Sequence, residues 1–358
     1  MQRKPSINGL GWLFLISFLL GGWLSWEWFH EPDRQSGTRD LIVSEMDLMG
    51  TRWIIQVAPT NRMSHVRIQE HIQAAFEEVA RVESVMSEWQ PDSPISGVNN
   101  QAGEAPVEVP DELRDIILRA RHMSEISSGA FDITWKGMGK LWDLRDPSFT
   151  PPTEETIQEA IARVDYKKIE VNGNRVWLKE RGMQIGLGGI AKGYGIDRAG
   201  RVLREAGLAN FYVDGGGDIL VAGLKYGRPW RVAVRHPRMG SSQFLAVVDM
   251  SNGAIVTSGD YENYRIHEGR RYHHILDPRT GKPAQGCQSV TIISTRAETA
   301  DALATAAFVL GPGEGWDLIL QQANTEAMMV DAAGQLHLTS GFRKKVGELR
   351  GTVDASGE

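Results

Sequence analysis

The stretch from Leu10 to Trp26, LGWLFLISFLLGGWLSW, carries no charge and follows Arg3 and Lys4. A helix needs about 20 apolar residues to cross the hydrocarbon core of a bilayer, so the run is read as an export signal or membrane anchor. This feature constrains the chain most, because it assigns residues 1–30 to the membrane and leaves the rest to fold on the far side. No Ala-x-Ala cleavage pattern follows it, and Trp23, Trp26, Trp28 and Phe29 form a cluster suited to a membrane boundary. Retention as an anchor is therefore expected over cleavage. The positive-inside rule then puts Arg3 and Lys4 in the cytoplasm and everything after Glu31 outside, in the periplasm if the cell is bacterial.

The remainder has the material of a globular protein. Of 358 residues 41% are apolar and the net charge is −6, which excludes a disordered or collagen-like chain and argues against general nucleic-acid binding. Cys287 is the only cysteine, so an internal disulfide framework, a Cys-rich zinc site and a Cys-ligated iron–sulfur cluster are excluded, as is a lipoprotein anchor. Residues 31–43 read as a polar linker, 44–345 as the folded domain and 346–358 as a polar tail. Within the domain, Thr51–Ala58 alternates like a half-buried strand, Val66–Val85 and Pro110–Ser127 have amphipathic helical spacing, and the polar SEWQPDSPISGVNN between them reads as a loop. Lys168–Leu178 reads as a hairpin turning at Asn172-Gly173-Asn174, with a helix from about Ile190 to Ala206 after it. Strands are expected at Phe211–Val213, Ile219–Ala222, Trp230–Arg235, Phe244–Asp249, Ala254–Val256, Tyr272–Leu276 and Ser289–Ile293. A helix at Ala297–Val309, the segment Pro312–Gln322 and a hairpin around Met328 and Leu336 complete the reading. Without regular βαβ alternation the fold class is α+β, with mixed, largely antiparallel sheets, flanking helices and one preceding membrane helix.

Four segments can carry chemistry. GLGGIAKG, Gly186 to Gly193, satisfies G-x-G-x-x-A ahead of a helix, so a Rossmann site using Asp214 for a ribose competes with plain close packing. Lys192 in the first helical turn opposes the macrodipole, which is acceptable where an anion binds. Asp301 and Thr305, four apart in AETADALATAAFVLG, share a helix face; the spacing fits a hard cation such as magnesium and equally a buried Asp–Thr hydrogen bond. In RYHHILDPRTGKPA, His273 and His274 point to opposite faces of a strand, so at most one enters a given site. Asp132 in SGAFDIT and Trp89 in MSEW fit a buried turn and a core residue as well as a ligand site.

Together these segments resemble the ApbE family, the FAD:protein FMN transferases, over roughly Met46 to Phe342. The resemblance rests on ordered blocks: MGT at Met49–Thr51, MSEWQPDSPISGVN at Met86–Asn99, SGAFDIT at Ser128–Thr134, LGGIAKGYGIDRA at Leu187–Ala199 and VDGGGDI at Val213–Ile219. TSGDYENY at Thr257–Tyr264, YHHILDPRTGKP at Tyr272–Pro283 and ADALATA at Ala300–Ala306 follow. It implies a magnesium site at Asp301 and Thr305 completed by a carbonyl near Gly189. It also implies FAD contacts from Met49, Trp89, Ala130, Phe131, Asp132, Lys192 and Ile275, with His274 as the catalytic base. The implied reaction moves the FMN part of FAD to a Thr or Ser hydroxyl of an acceptor flavoprotein and releases AMP. The implied acceptor is a subunit of a membrane redox complex. The resemblance departs at Gly186, where the family usually has an acid, so either FAD binding is weakened or a neighbour such as Gln184 takes over. An FAD pyrophosphatase, a flavin-binding module and a Rossmann-type flavin or NAD oxidoreductase are the rival readings.

Overall fold

The alternation in Thr51–Val57 is that of a strand with one dry face, and Trp53, Ile55 and Val57 are its buried positions. In the computed structural model, which describes residues 40–60, 63–139, 141–239 and 243–350, this strand is β2 of an eight-stranded sheet. Its companions are β1 (Ile42–Leu48), β6 (Phe211–Gly215), β7 (Asp218–Ala222), β10 (Asn252–Gly259), β15 (Cys287–Ser294), β16 (Glu326–Asp331) and β17 (Leu336–Leu338). Their spatial order is β1-β2-β6-β7-β10-β15-β16-β17, and each neighbouring pair runs antiparallel. Strands β7 and β15 are buried along their whole length, as strands covered on both faces must be.

Helices cover one face and a small sheet covers the other. Helix α1 (His65–Met86) presents Ile68, Ile72 and Val79, spaced for one helical face, to Trp53, Ile55, Phe211 and Val213. Four more helices are α2 (Pro94–Asn100), α3 (Asp111–Ile126), α4 (Glu154–Ile161) and α5 (Ala191–Glu205). Helix α6 (Ala297–Leu310) is apolar almost all round and lies in the core, with α2, α3 and the small sheet of β3 (Val107–Glu108), β4 (Ile169–Asn172) and β5 (Arg175–Leu178) in the same apolar cluster. On the opposite face β8 (Trp230–Arg235), β9 (Phe244–Met250) and β18 (Val346–Leu349) form a three-stranded sheet. It buries Trp230, Val232 and Leu245 with Ile219, Val221, Ile255 and Val330. Helices, large sheet and small sheet make three layers, and the α+β class with largely antiparallel sheets is as expected.

The structure corrects several boundaries. The fold begins at β1, where Ile42 pairs with Val57, and it extends beyond residue 345 through β18, which pairs with β9. The polar segment read as a loop contains α2, with Ser93 accepting the Ser96 N–H at 3.1 Å and Pro94 in the first turn. The expected strand Tyr272–Leu276 is split. β12 (Arg270–His273) pairs with β11 (Tyr264–His267), whereas β13 (Leu276–Asp277) pairs with β14 (Lys282–Pro283). The Rossmann alternative fails on topology: β5 and β6, which flank the glycine run, lie in different sheets, and β6 turns straight into antiparallel β7. The expected membrane segment lies outside the described residues; among those described, no helix is long and apolar enough to cross a membrane.

Candidate active site

The site is built where the first turns of α5 and α6 meet. Helix α6 has no local side-chain cap; the Asp197 carboxylate, from α5, accepts from the Ala297 N–H at 2.9 Å and the Glu298 N–H at 3.0 Å. The close approach requires glycine at 193, since a Cβ there would collide with the Ala297 carbonyl. The Gly193 N–H in turn donates to Asp301 Oδ2 at 3.0 Å. Each helix end is thus bonded by a carboxylate of the other helix, negative charge where the macrodipole favours it.

Asp301 and Thr305 lie one turn apart on α6. Thr305 Oγ1 is 3.3 Å from Ser258 Oγ, and a Cβ built on Gly189 would stand 3.5 Å from the same oxygen. Gly189 therefore lies beside Thr305, with Asp301 one turn away on the same helix. The hydrogen bonds that form run to Gly193 and Ser258, so the Asp–Thr pair that the spacing also allowed is not what holds these side chains. Burial and the nearby Asp218 push the Asp301 carboxyl up to about 7, against the opposing pull of Lys192. Burial likewise raises Asp214, to about 6. Burial alone would lower Lys192, but Asp218 and Asp301 push it well above the usual lysine range, and its Nζ lies 2.7 Å from Asp218 Oδ2. Asp218 and Asp301 are buried and share one ammonium. The Asp301 carboxylate and the Thr305 hydroxyl, one turn apart on α6, are oxygen donors of the kind a hard cation takes.

The two histidines separate cleanly. His273 is buried, with Nε2 2.7 Å from the Ala284 carbonyl and Nδ1 accepting from the Ile275 N–H at 3.3 Å, so both ring nitrogens serve the fold. His274 is exposed, and its Nδ1 lies 3.3 Å from the Asn263 carbonyl. Desolvation lowers its pKa to about 4, and Lys192 is near enough to add to that shift. Ile275 is buried and linked through its backbone to His273 and Ala284.

The remaining expected contacts sit around the Gly186–Lys192 loop. Met49, at positive φ in the two-residue turn between β1 and β2, reaches the first turn of α5, its Sδ 3.2 Å from where a Cβ of Gly195 would be. Phe131 lies against Gly189, and Ala130 is buried beside it. Asp132 is turned inward: its carboxylate accepts from the Thr134 N–H and Oγ1 and from the Tyr166 N–H, at 2.7, 2.7 and 2.9 Å. Its side chain braces the turn. Trp89 is 75% exposed, with Lys136 Nζ 3.6 Å from the ring centroid. At Gly186 the nearest side-chain atoms are those of Trp135 and Glu88, rather than Gln184. Sequence reasoning missed Glu88, Lys136, Asp197, Asp218 and Ser258. All but Lys136 fall inside recognised blocks, but their partners come from other elements, and only the fold pairs them.

Comparison with known proteins identifies the family and the fold. The ApbE family matches residues 49–329. The FAD:protein FMN transferase of Treponema pallidum is 34% identical over 306 residues, covering 80% of this chain and 84% of that protein. Its counterpart in Vibrio cholerae is 32% identical over 253 residues, covering 69% and 75%. Among solved structures, the ApbE protein of Thermotoga maritima superposes with a TM-score of 0.78 at 32% identity, covering 86% of this chain and all (100%) of that one. The flavin transferase ApbE of Vibrio cholerae gives 0.75 at 27% identity, covering 86% and 99%. With matched blocks, shared fold and a site assembled from those blocks, the chain belongs to the ApbE family.

Proposed function

We propose that this protein is a FAD:protein FMN transferase that esterifies a Thr or Ser hydroxyl of an acceptor flavoprotein and releases AMP. The observation that carries the reading is the placement of Asp301 and Thr305 one helical turn apart beside the convergent first turns of α5 and α6. There, Lys192 favours a pyrophosphate while the carboxylates favour a cation. Gly189, Asp301 and Thr305 would hold magnesium, which when bound supplies charge neutralisation at the phosphates and acts as a Lewis acid. The acceptor oxygen forms a bond to the FMN-side phosphorus as the bond to the AMP phosphate oxygen breaks. With Nδ1–H donating to the Asn263 carbonyl, His274 has Nε2 free to take the hydroxyl proton, and its lowered pKa keeps it neutral for that task.

On this reading the enzyme works in the periplasm, tethered to the inner membrane by Leu10–Trp26, and its acceptors are flavin-bearing subunits of membrane redox complexes. The uncharged run behind Arg3 and Lys4 supports that location. Incubation with FAD, magnesium and a candidate acceptor should yield AMP and an acceptor that fluoresces as flavin in a denaturing gel, with Asp301→Asn abolishing both. AMP accompanied by free FMN alone would replace the transferase by a pyrophosphatase. No AMP under any condition would leave only a flavin-binding module.

A further inference from the structure

A carboxylate from another element of the fold, that of Glu88, stands beside the glycine at 186. A Cβ built on Gly186 would stand 3.0 Å from Trp135 Cζ2 and 3.2 Å from Glu88 Oε1. A side chain at 186 would therefore press on the Trp135 ring and on the Glu88 carboxylate, each of which would have to give by a few tenths of an ångström. The backbone holds the spot in place, since the Gly186 N–H donates to the Ile133 carbonyl at 2.8 Å and the Gly186 carbonyl accepts from Trp135 Nε1 at 3.1 Å.

The surroundings suit ligand recognition. Glu88 immediately precedes Trp89, whose indole is 75% exposed with Lys136 Nζ 3.6 Å from its centroid. A flat heterocycle can stack on such a ring. Burial raises the Glu88 carboxyl, whereas the Lys136 charge and the Leu187 backbone N–H favour its ionised form. Gly186 and Leu187 begin the loop that leads to Gly189 and Lys192, so the carboxylate stands at the edge of the region assigned to the dinucleotide.

We propose that Glu88 is a binding residue for the dinucleotide, a carboxylate relocated from the loop position 186 to the end of α1, accepting a hydrogen bond from a ring-edge N–H of the heterocycle stacked on Trp89. This rests on the transferase reading of the site. Adenine and isoalloxazine both present such an N–H, so the fragments ADP and FMN separate the two sources.

The test is a set of exchange variants in the full chain, read by calorimetric and fluorescence titration with FAD, ADP and FMN rather than by turnover alone. A lost charge-assisted hydrogen bond is worth about tenfold to a hundredfold in affinity, and Glu88→Gln and Glu88→Ala should each lose about that much for FAD. Gly186→Asp alone should also weaken FAD, because it sets a second carboxylate against the first and against the Trp135 ring. Combined with Glu88→Ala, the same Gly186→Asp change should restore affinity to within about threefold of wild type. The control Glu88→Ala with Gly186→Ala should not. A parallel loss for ADP assigns the contact to adenine, and one for FMN assigns it to the flavin. Wild-type FAD affinity in Glu88→Gln, or a double variant no better than Glu88→Ala, would overturn the assignment. Failure of the wild-type protein to bind FAD at all would instead overturn the transferase reading, and this assignment with it.

Discussion

His273 and His274 are adjacent in sequence and opposite in use: His273 ends β12 with its ring buried, and His274 lies just beyond the strand and is exposed. Both have lowered pKa values, with desolvation the leading cause. His274→Ala should keep FAD affinity within about twofold and lower flavin transfer by about 100-fold or more, as removal of a general base does. Unchanged transfer, followed by in-gel flavin fluorescence, would remove His274 from the mechanism. For His273 the consequence is stability. A histidine whose folded pKa lies below its unfolded value takes up a proton more readily when unfolded, so its contribution is present above about pH 6.5 and is lost as the pH falls below it. His273→Gln can still donate to the Ala284 carbonyl; it should be less stable than wild type at pH 7 yet lose less on acidification to pH 5.5, by urea unfolding at both values. At this scale the sequence showed which residue types were present in which blocks. It did not show that Asp132 faces inward or that Lys192 is held by Asp218, since those facts depend on partners more than 20 residues away.

Helix α6 carries both proposed metal ligands but not its own cap. Asp197 supplies it from α5, bonding the Ala297 and Glu298 N–H groups, so the helix that would hold the cation is fixed through its neighbour. Asp197→Ala should cost on the order of 1–2 kcal/mol of stability, the range for a lost cap, and should also weaken magnesium binding several-fold, because Asp301 sits one turn from the freed end. Asp197→Asn, with one carbonyl oxygen still able to accept, should fall between. Thermal unfolding with and without magnesium checks both, and equal metal-induced stabilisation in all three proteins would separate the cap from the site. Amphipathic spacing made α1, α3 and α5 readable. Helix α2 escaped because its polar residues resemble a loop, although Ser93-Pro94 is a start signal. The break after β12 escaped because it is made by His273 bonding two residues ahead, which leaves no mark in the apolar pattern.

For the molecule as a whole, the expected limits of the folded domain, 44 and 345, each cut through structure. Leu41 and Ile42 precede the first limit; Leu41 packs on the apolar layer between the two sheets, and Ile42 is buried against the helices. Val346 and Leu349 follow the second, on β18, and the Arg350 N–H donates to the Leu245 carbonyl at 2.7 Å. Polar composition hid these edges, because a short strand flanked by Lys and Glu reads as a tail until its pairing partner, β9, is known. A chain beginning at Asp40 retains all of β1 and should fold and bind FAD as the full chain does. A chain ending at Lys345 loses β18, uncovers the edge of β9 and exposes part of the layer beneath it. The loss is about 2–4 kcal/mol from apolar burial and ladder hydrogen bonds, or roughly 3–6 °C in Tm for a domain of about 300 residues. The bared edge should also promote concentration-dependent association. Calorimetry and light scattering on the two truncated proteins decide the matter: a Lys345-terminated protein that melts and scatters like the full chain would show that the small sheet is stable with two strands, and that the three-layered description overstates what β18 contributes.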